Sequence, residues 1–428
     1  MRGGAGITRM LALAASTLAA GCGRGAEDPA TLEFWAMGRE GEVVQQLMPA
    51  FEQENPGVRV RVQQIPWTAA HEKLLTAFVG RATPDIAQLG NTWVPEFAAI
   101  GAIEPLDGWI AASAALGPDD YFPGIWDTNL VDGRVHGVPW YVDTRLLFYR
   151  SDLLAQAGWD RPPRTWDEWL RAMRDVKRHG ADWAILLPTD EWDKLIMFAL
   201  AAGAPLLRDG GRYGAFDEPR FRQAFEFYLG LFREGLAPPQ ARHQVANRYQ
   251  QFAEGELAMY LTGPWDIGEF RRRLPPGLED AWATAPLPAP EGVEPPGWSF
   301  AGGSSLVLFA ASPRKELAWR LIEFLSRPEQ QVRFYQLTGD LPSRRDAWND
   351  PVLANDTKVR AFYTQLERTR ALPAVPEIEE IMYETVEHSE AAVRGTVTPA
   401  QAVAAMDRAV DRILAKRRWL LARREPLP

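Results

Sequence analysis

The chain has 428 residues, of which 46% are hydrophobic and 24% are charged. This length favours two or three domains, and this composition excludes a disordered, collagen-like or coiled-coil chain. The 47 Lys and Arg residues against 56 Asp and Glu residues give a net charge of −9, and because no basic block tracks a surface we expect no nucleic-acid binding.

The first residues have the pattern of an export signal. Arg2 and Arg9 precede a short apolar run at residues 10–20, which cannot span a bilayer, and Cys22 follows it. We predict a lipoprotein signal peptide at residues 1–21, lipidation of Cys22 and a tether at residues 22–30. Cys22 is the only cysteine, which excludes an internal disulfide, a cysteine zinc site and a CxxC redox pair. The five His residues form no HExxH motif.

The next segment predicts alternating strands and helices. Strands are predicted at residues 31–35, 58–65 and 85–89, and helices at residues 42–54 and 68–79. This β-α-β-α-β order indicates a parallel sheet covered by helices. Ligands bind beyond the carboxyl ends of such strands, so the loops at residues 36–41 and 90–93 should face one crevice.

The pattern restarts after residues 135–150, where two strand-like runs flank Asp143, Thr144 and Arg145. The later segments indicate a second α/β lobe, with helices at residues 165–178, 191–202 and 219–234 and strands at residues 183–187, 257–262 and 281–285.

The remaining sequence begins with a proline-rich segment at residues 286–296, which predicts a linker or crossover. A strand follows at residues 304–310, and Pro313 is predicted to start a helix. The last helix should run to about residue 424. We interpret its basic run at residues 416–418 as a solvated helix end.

Several short motifs together resemble the extracellular solute-binding proteins of bacterial ABC transporters, in the branch that includes maltose- and trehalose-binding proteins. The motifs are FWAMGREG at residues 34–41, AFEQENPGV at 50–58, TPDI at 83–86, GAIEPL at 101–106, GVPWY at 137–141, LFYRSDLL at 147–154, TWDE at 165–168, GPW at 263–265, SPRKELA at 312–318 and GDLP at 339–342. They occur in the family's order and cover nearly all of the chain after the signal.

The resemblance implies an α/β fold of the periplasmic-binding-protein type, with two discontinuous lobes joined by crossover hinge strands around a ligand cleft. The N-terminal lobe would take residues 31–142 and 297–338, and the C-terminal lobe residues 146–288 and 343–428. The implied function is an exported receptor that delivers a neutral di- or oligosaccharide to a membrane permease. We expect a monomer with no catalytic activity, no cofactor and no metal.

Sugar recognition requires flat aromatic faces for the pyranose ring and planar polar groups for its hydroxyls. Strand-end positions and the family motifs together select Glu40, Asn91, Trp93, Tyr141, Asp143, Arg145, Trp265, Trp298, Gly302 and Arg344 as candidate ligand-binding residues. Asp143 has an alternative role as the partner of Arg145 in a hinge ion pair, and Arg345 competes with Arg344. Trp140, Trp192 and Asp193 are weaker candidates.

Other functions remain as alternatives. Carboxylates beside aromatic rings also occur in glycoside hydrolases, but the chain lacks the GxSxG, GxxxxGK[ST] and GxGxxG motifs and eight repeated βα units. Within the receptor class, a glycerol-phosphate ester or a polyol is the alternative ligand. A scaffold that binds no small ligand would not need Trp residues at strand ends.

Overall fold

The computed structural model of the chain describes residues 30–245 and 247–424. The predicted signal peptide and Cys22 lie outside the described residues. Among the residues that are described, no helix combines the length and apolar character needed to cross a membrane.

The strands are short and belong to two main sheets and several two-stranded ladders. They are β1 (Ala30–Met37), β2 (Val58–Ile65), β3 (Ile86–Gly90), β4 (Leu130–Val131), β5 (Arg134–Val135), β6 (Val138–Asp143), β7 (Leu146–Arg150), β8 (Trp183–Leu186), β9 (Leu207–Arg208), β10 (Tyr213–Gly214), β11 (Leu257–Thr262), β12 (Trp282–Ala285), β13 (Ser299–Phe300), β14 (Gly302–Leu308), β15 (Leu341–Pro342) and β16 (Thr369–Arg370).

The helices cover both faces of the sheets. They are α1 (Gly38–Val43), α2 (Met48–Glu54), α3 (Trp67–Val79), α4 (Val94–Ala99), α5 (Asp107–Ala112), α6 (Pro123–Asp127), α7 (Ser151–Gln156), α8 (Trp166–Arg178), α9 (Trp192–Ala201), α10 (Pro219–Arg233), α11 (Arg248–Glu254), α12 (Trp265–Arg273), α13 (Lys315–Leu325), α14 (Pro328–Thr338), α15 (Pro351–Ala354), α16 (Thr357–Leu366), α17 (Ile378–Val393), α18 (Pro399–Ile413) and α19 (Ala415–Arg424).

The first sheet has the strand order β15-β6-β14-β3-β1-β2. β1 pairs in parallel with β2 and β3, as the β-α-β-α-β pattern predicted. Both faces of β1 are buried, because Leu32 and Phe34 pack into one core while Trp35 and Met37 pack into the core on the opposite face. The α/β fold class predicted from the sequence is therefore confirmed.

The second sheet has the order β12-β7-β11-β8 and carries the largest core, which includes Trp169 and Phe198. Two crossings connect the sheets. The chain leaves β6 and enters β7 through Thr144 and Arg145, and it enters β14 after Phe300. The crossings are bonded to each other, since the Thr144 hydroxyl donates to the carbonyl of Phe300 at 2.8 Å. These two crossings and the chain segment after β15 form the hinge between the lobes.

The structure differs from the sequence expectations at several places. The last predicted helix is divided at Leu414 into α18 and α19. β1 extends to Met37 and α1 begins at Gly38, so residues 36–41 are not a loop and the predicted helix at 42–54 is two helices. The helix expected to start at Pro313 begins at Lys315. Residues 299–300 pair with β16, and the chain joins the first sheet only at Gly302, whereas the predicted first lobe resumed at residue 297. The exact lobe boundaries stay a prediction.

Candidate functional site

The cleft lies where β1, β2, β3 and β6 end, on the side of the first sheet that faces the second. A cavity of about 690 Å³ there is lined by side chains that follow each of these strands. It shares Glu40, Arg242, Trp265 and Asp340 with an adjoining cavity of about 1080 Å³. This space is ample for a small organic ligand.

Glu40 is held at the cleft by a buried polar network. It lies on α1, immediately after β1, and its Oε1 accepts a hydrogen bond of 2.8 Å from the Tyr141 hydroxyl. That hydroxyl also accepts bonds from Gln88 and Ser304, and the nearby Trp67 indole favours the charged form of the Glu40 carboxylate. Burial raises the pKa of Glu40 despite these contacts. The network fixes one carboxylate at the cleft wall.

Asp143 and Gly302 face each other across the pairing of β6 with β14. The Asp143 side chain is 26% exposed, and its Oδ1 accepts a hydrogen bond of 3.0 Å from Arg145. Asp143 therefore forms the hinge ion pair considered as an alternative and also lines the cleft. A polar group on the hinge strand can bind ligand and respond to lobe closure.

Arg145 is largely enclosed at the back of the cleft. Its Nε donates to Asp193 at 2.8 Å, and its guanidinium lies 4.5 Å from the Trp265 ring and 5.0 Å from the Phe300 ring. Burial opposes its charge, but the carboxylates of Asp143 and Asp193 outweigh burial and raise its pKa. Arg145 thus remains charged and braces Trp265.

Asp340 brings a further carboxylate to the cleft. It follows the left-handed C-cap Gly339 at the end of α14, so the chain turns sharply there and directs residue 340 into both cavities. Burial raises its pKa to about 7, and the nearby carboxylates of Glu40 and Asp143 act in the same direction. Asp340 can accept or donate a hydrogen bond near neutral pH.

Aromatic rings line both sides of the cleft. Trp67 and Trp93 follow β2 and β3 and pack edge to face with ring centroids 5.6 Å apart. Trp265, at the start of α12, is 42% exposed on the opposite side. A methyl group on Gly263 would lie 2.2 Å from the Trp265 ring, so glycine there permits its orientation. Opposed rings of this kind suit the C–H faces of a sugar.

Asn91 lies at the base of the cleft, directly after β3. Its Oδ1 accepts from the Ser305 hydroxyl at 3.2 Å. Its Nδ2 is buried and has no hydrogen-bond partner in the described part of the chain. A buried unpaired donor is costly, and Asn91 lines the cavity, so a ligand oxygen could satisfy it.

The structure therefore brings together eight of the ten candidates at the cleft: Glu40, Asn91, Trp93, Tyr141, Asp143, Arg145, Trp265 and Gly302. Among the weaker candidates, Trp192 also lines the cleft. Asp193 is buried between Arg145 and Lys194, and Trp140 is in the core, stacked 4.5 Å from Phe334.

Two strong candidates lie elsewhere. The Trp298 ring is between the guanidiniums of Arg370 and Arg368, at 4.2 and 5.2 Å, because residues 299–300 pair with β16 and not with the first sheet. Arg344 is buried, with bonds to Asp346 and the carbonyl of Ala115, since residue 344 bridges to Tyr121. Neither residue lines the cleft cavities.

The competing choice, Arg345, is also directed away from the cleft. Its Nη2 donates to Glu367 at 2.6 Å, and its guanidinium lies 5.4 Å from the Phe122 ring. The expectation that an arginine after the GDLP motif lines the cleft was therefore wrong for this structure, and Asp340 within the motif lines it instead.

Sequence reasoning missed several residues of the cleft, among them Trp67, Asp340, Phe300 and Glu379. Trp67 comes two residues after β2, so the strand-end rule applied to Trp93 would also have selected it. Glu379 gave no comparable signal, because it lies on α17, far along the chain, and meets Thr92 through a side-chain hydrogen bond only in the folded structure. Within the described residues, no group of three or more His, Cys, Asp or Glu side chains could hold a metal ion.

Comparison with known proteins gives consistent matches. The family model described as bacterial extracellular solute-binding protein matches residues 36–332. The structure of the sugar-binding protein MalE from Xanthomonas citri is 50% identical, with a TM-score of 0.89, and the match covers 92% of this chain and 99% of that one.

Two further relatives are more distant. A protein described as an uncharacterized lipoprotein in the oleD 5′ region of Streptomyces antibioticus is 28% identical over 83% of this chain and 81% of its own length. The galactooligosaccharide-binding protein of Bacillus subtilis is 24% identical over 92% of this chain and 93% of its own length.

Proposed function

The chain belongs to the bacterial extracellular solute-binding proteins, a family of binding proteins and not of enzymes, and on this premise we propose that it receives a neutral di- or oligosaccharide of the maltose or trehalose kind. It would deliver this sugar intact to the permease of an ABC importer. The likeness to the sugar-binding protein MalE supports the ligand class.

One observation carries the proposal: four carboxylates and four indoles meet in a single cleft. Glu40, Asp143 and Asp340 offer hydroxyl acceptors, while Trp67, Trp93 and Trp265 offer ring faces on opposite sides. An uncharged polyol ligand matches both sets, whereas an anion would face four carboxylates against only two arginines, Arg145 and Arg242. The adjoining cavity gives room for more than two sugar units.

A second ligand class has a specific observation in its favour. The adjoining cavity is lined by Arg39, Arg248 and residues 271–273, all arginine. A phosphate ester could place its anionic group there. Several of these guanidiniums are already paired, since Arg271 binds Asp356 and Arg272 and Arg273 share Glu269. We therefore favour the neutral sugar.

Calorimetric titration of the chain lacking residues 1–22 tests the proposal. The panel is trehalose, maltose, maltotriose, sucrose, glucose and glycerol 3-phosphate, with the recovered sugar checked for cleavage. Saturable binding of one neutral sugar, recovered intact, is expected. Binding of glycerol 3-phosphate alone would refute the neutral-sugar proposal, and cleaved sugar would refute the receptor role.

We also propose that Cys22 anchors the exported protein to the membrane by a lipid and that the receptor acts as a monomer. The similarity to a protein described as a lipoprotein supports the anchor. Fractionation of cells that express wild-type protein or Cys22→Ala tests it. In high salt, which weakens binding through surface charges, the wild type should still sediment with membranes and the variant should not. Light scattering of the chain lacking residues 1–22 should report a monomer mass somewhat below the 47.9 kDa of the full chain.

A further inference from the structure

A row of exposed cations runs along the last two helices. Arg408 and Arg412 on α18 and Lys416 on α19 are exposed and spaced four residues apart, and Arg423 continues the row. Trp419 and Leu420 lie among them and are 54% and 43% exposed. We call these six residues the basic stripe.

The cations of the basic stripe differ from most exposed arginines of this protein. Elsewhere Arg161, Arg174 and Arg327 form ion pairs with Glu168, Glu234 and Glu54. Within residues 30–245 and 247–424, Arg408, Arg412, Lys416 and Arg423 form no ion pair. The stripe is therefore a positive surface on a chain whose net charge is −9.

The nearby acidic side chains do not neutralise the stripe. Asp407 and Asp411 are on α18, but Asp407 accepts from the backbone N–H groups of Phe216 and Asp217, and Asp411 accepts from that of Gly214. These carboxylates bind backbone groups of the lobe, so the exposed charged side chains of α18 are Arg408 and Arg412. Because Asp407 and Asp411 bind these backbone groups, the negative charges of α18 lie against the lobe and the positive charges lie at the surface.

The basic run at residues 416–418 divides in the same way. Arg418 donates to the carbonyls of Arg212 and Asp411 and lies 4.7 Å from the Tyr213 ring, so it holds α19 against the lobe. Lys416 stays exposed. The Arg423 guanidinium lies 3.9 Å from the Trp419 ring, which keeps the indole beside a cation at the surface. The sequence analysis interpreted this basic run only as a solvated helix end and did not predict an exposed indole beside it.

We propose that the basic stripe docks on an anionic lipid bilayer. Clustered Lys and Arg side chains on a helix bind acidic headgroups, and Trp and Leu enter the boundary between headgroups and acyl chains. An acidic peptide would match the cations but would not need Trp419 and Leu420 exposed together. The stripe would hold the second lobe at the membrane where a permease is located, independently of any lipid on Cys22.

Vesicle sedimentation tests the proposal on the chain lacking residues 1–22, which has no lipid anchor. The protein is mixed with vesicles of phosphatidylcholine alone or with 30% phosphatidylglycerol. Binding to the anionic vesicles only, weakened by added salt, is expected. The triple variant Arg408→Ala, Arg412→Ala, Lys416→Ala should bind on the order of 100-fold more weakly, since each cation contributes about fivefold.

Two further variants test whether a loss of vesicle binding comes from the stripe itself and not from the change in net charge or from unfolding. Arg59→Ala, Arg161→Ala, Arg233→Ala removes the same charge from exposed positions elsewhere and should leave vesicle binding unchanged. Trp419→Ala keeps every cation and should weaken binding severalfold. Circular dichroism of each variant shows whether it is folded.

Several outcomes would overturn the proposal. They are equal binding to neutral and anionic vesicles, equal loss in the stripe and control triples, or no vesicle binding by the folded wild type. Capture of an acidic peptide without vesicle binding would also overturn it. Sugar binding is measured separately, so failure of the stripe and failure of the proposed sugar receptor give different results.

Discussion

Asp143 and Gly302 lie so close together that a methyl group on Gly302 would be 2.2 Å from Oδ1 of Asp143. The same oxygen accepts the hydrogen bond from Arg145, so Arg145 and Gly302 together fix the position of the carboxylate. The absence of a side chain at residue 302 therefore positions Asp143 in the cleft.

Replacing Gly302 with alanine should displace the Asp143 carboxylate and weaken sugar binding by at least about tenfold, because a buried polar contact is lost. Calorimetry measures the affinity and circular dichroism the fold. Gly108→Ala is the matched control, since a methyl group there would meet nothing within 4 Å. Unchanged affinity in Gly302→Ala would show that Asp143 does not contact the ligand.

Trp265→Ala should reduce affinity by about tenfold or more, because a stacking face of the cleft is lost and Arg145 loses the ring it packs on. Trp298→Ala removes an indole that lies outside the cleft between two arginines and should change affinity less than twofold. The two titrations are compared directly. Equal losses would contradict the placement of the site.

Tyr141→Phe removes the hydroxyl that joins Glu40, Gln88 and Ser304. Because Glu40 loses this buried donor while Gln88 and Ser304 lose this acceptor and keep their bond to each other, the free energy of unfolding should fall by about 1–3 kcal/mol. Denaturant unfolding measures the change. Tyr383→Phe, at a position that is 67% exposed, should be nearly neutral. Equal stability of both variants would show that the network does not stabilise the fold.

Asp340 should make the protein less stable as the pH rises. Its pKa is about 7 in the folded chain against 3.8 ordinarily, so the folded state holds the proton more tightly. The free energy of unfolding therefore falls between about pH 4 and pH 7. Glu40 and His71 also have raised pKa values, which give a loss of the same sign.

Asp340→Asn isolates this contribution. The Tm of the wild type should fall by several degrees between pH 5 and pH 8. The Tm of the variant should fall less, because the variant has no titratable group at residue 340. Differential scanning calorimetry at both pH values measures this. An identical loss in the two proteins would show that Asp340 does not titrate in this range.

Much of the fold could be predicted because local patterns specify it. The alternation of β2 and the capping Thr165 of α8 are visible in the sequence, and both elements lie where they were expected. Glu40, Asn91 and Trp93 were also predicted, since strand ends converge at one edge of a parallel sheet. Most of the other cleft candidates came from the family resemblance.

The misplaced residues depend on long-range pairing. Trp298 follows a proline-rich segment whose sequence does not show that residues 299–300 pair with β16, 70 residues later by strand register. Glu379 meets Thr92 across the lobes for the same reason. Contacts between distant segments are set by tertiary packing, which local periodicity does not encode.

The most direct test of the account is a crystal structure of the complex with the sugar that binds in the titration. The account predicts a pyranose ring against Trp265 and hydroxyls within hydrogen-bond distance of Asp143 and Asp340. A sugar bound with none of these three residues, or bound outside the cleft between the two sheets, would contradict it.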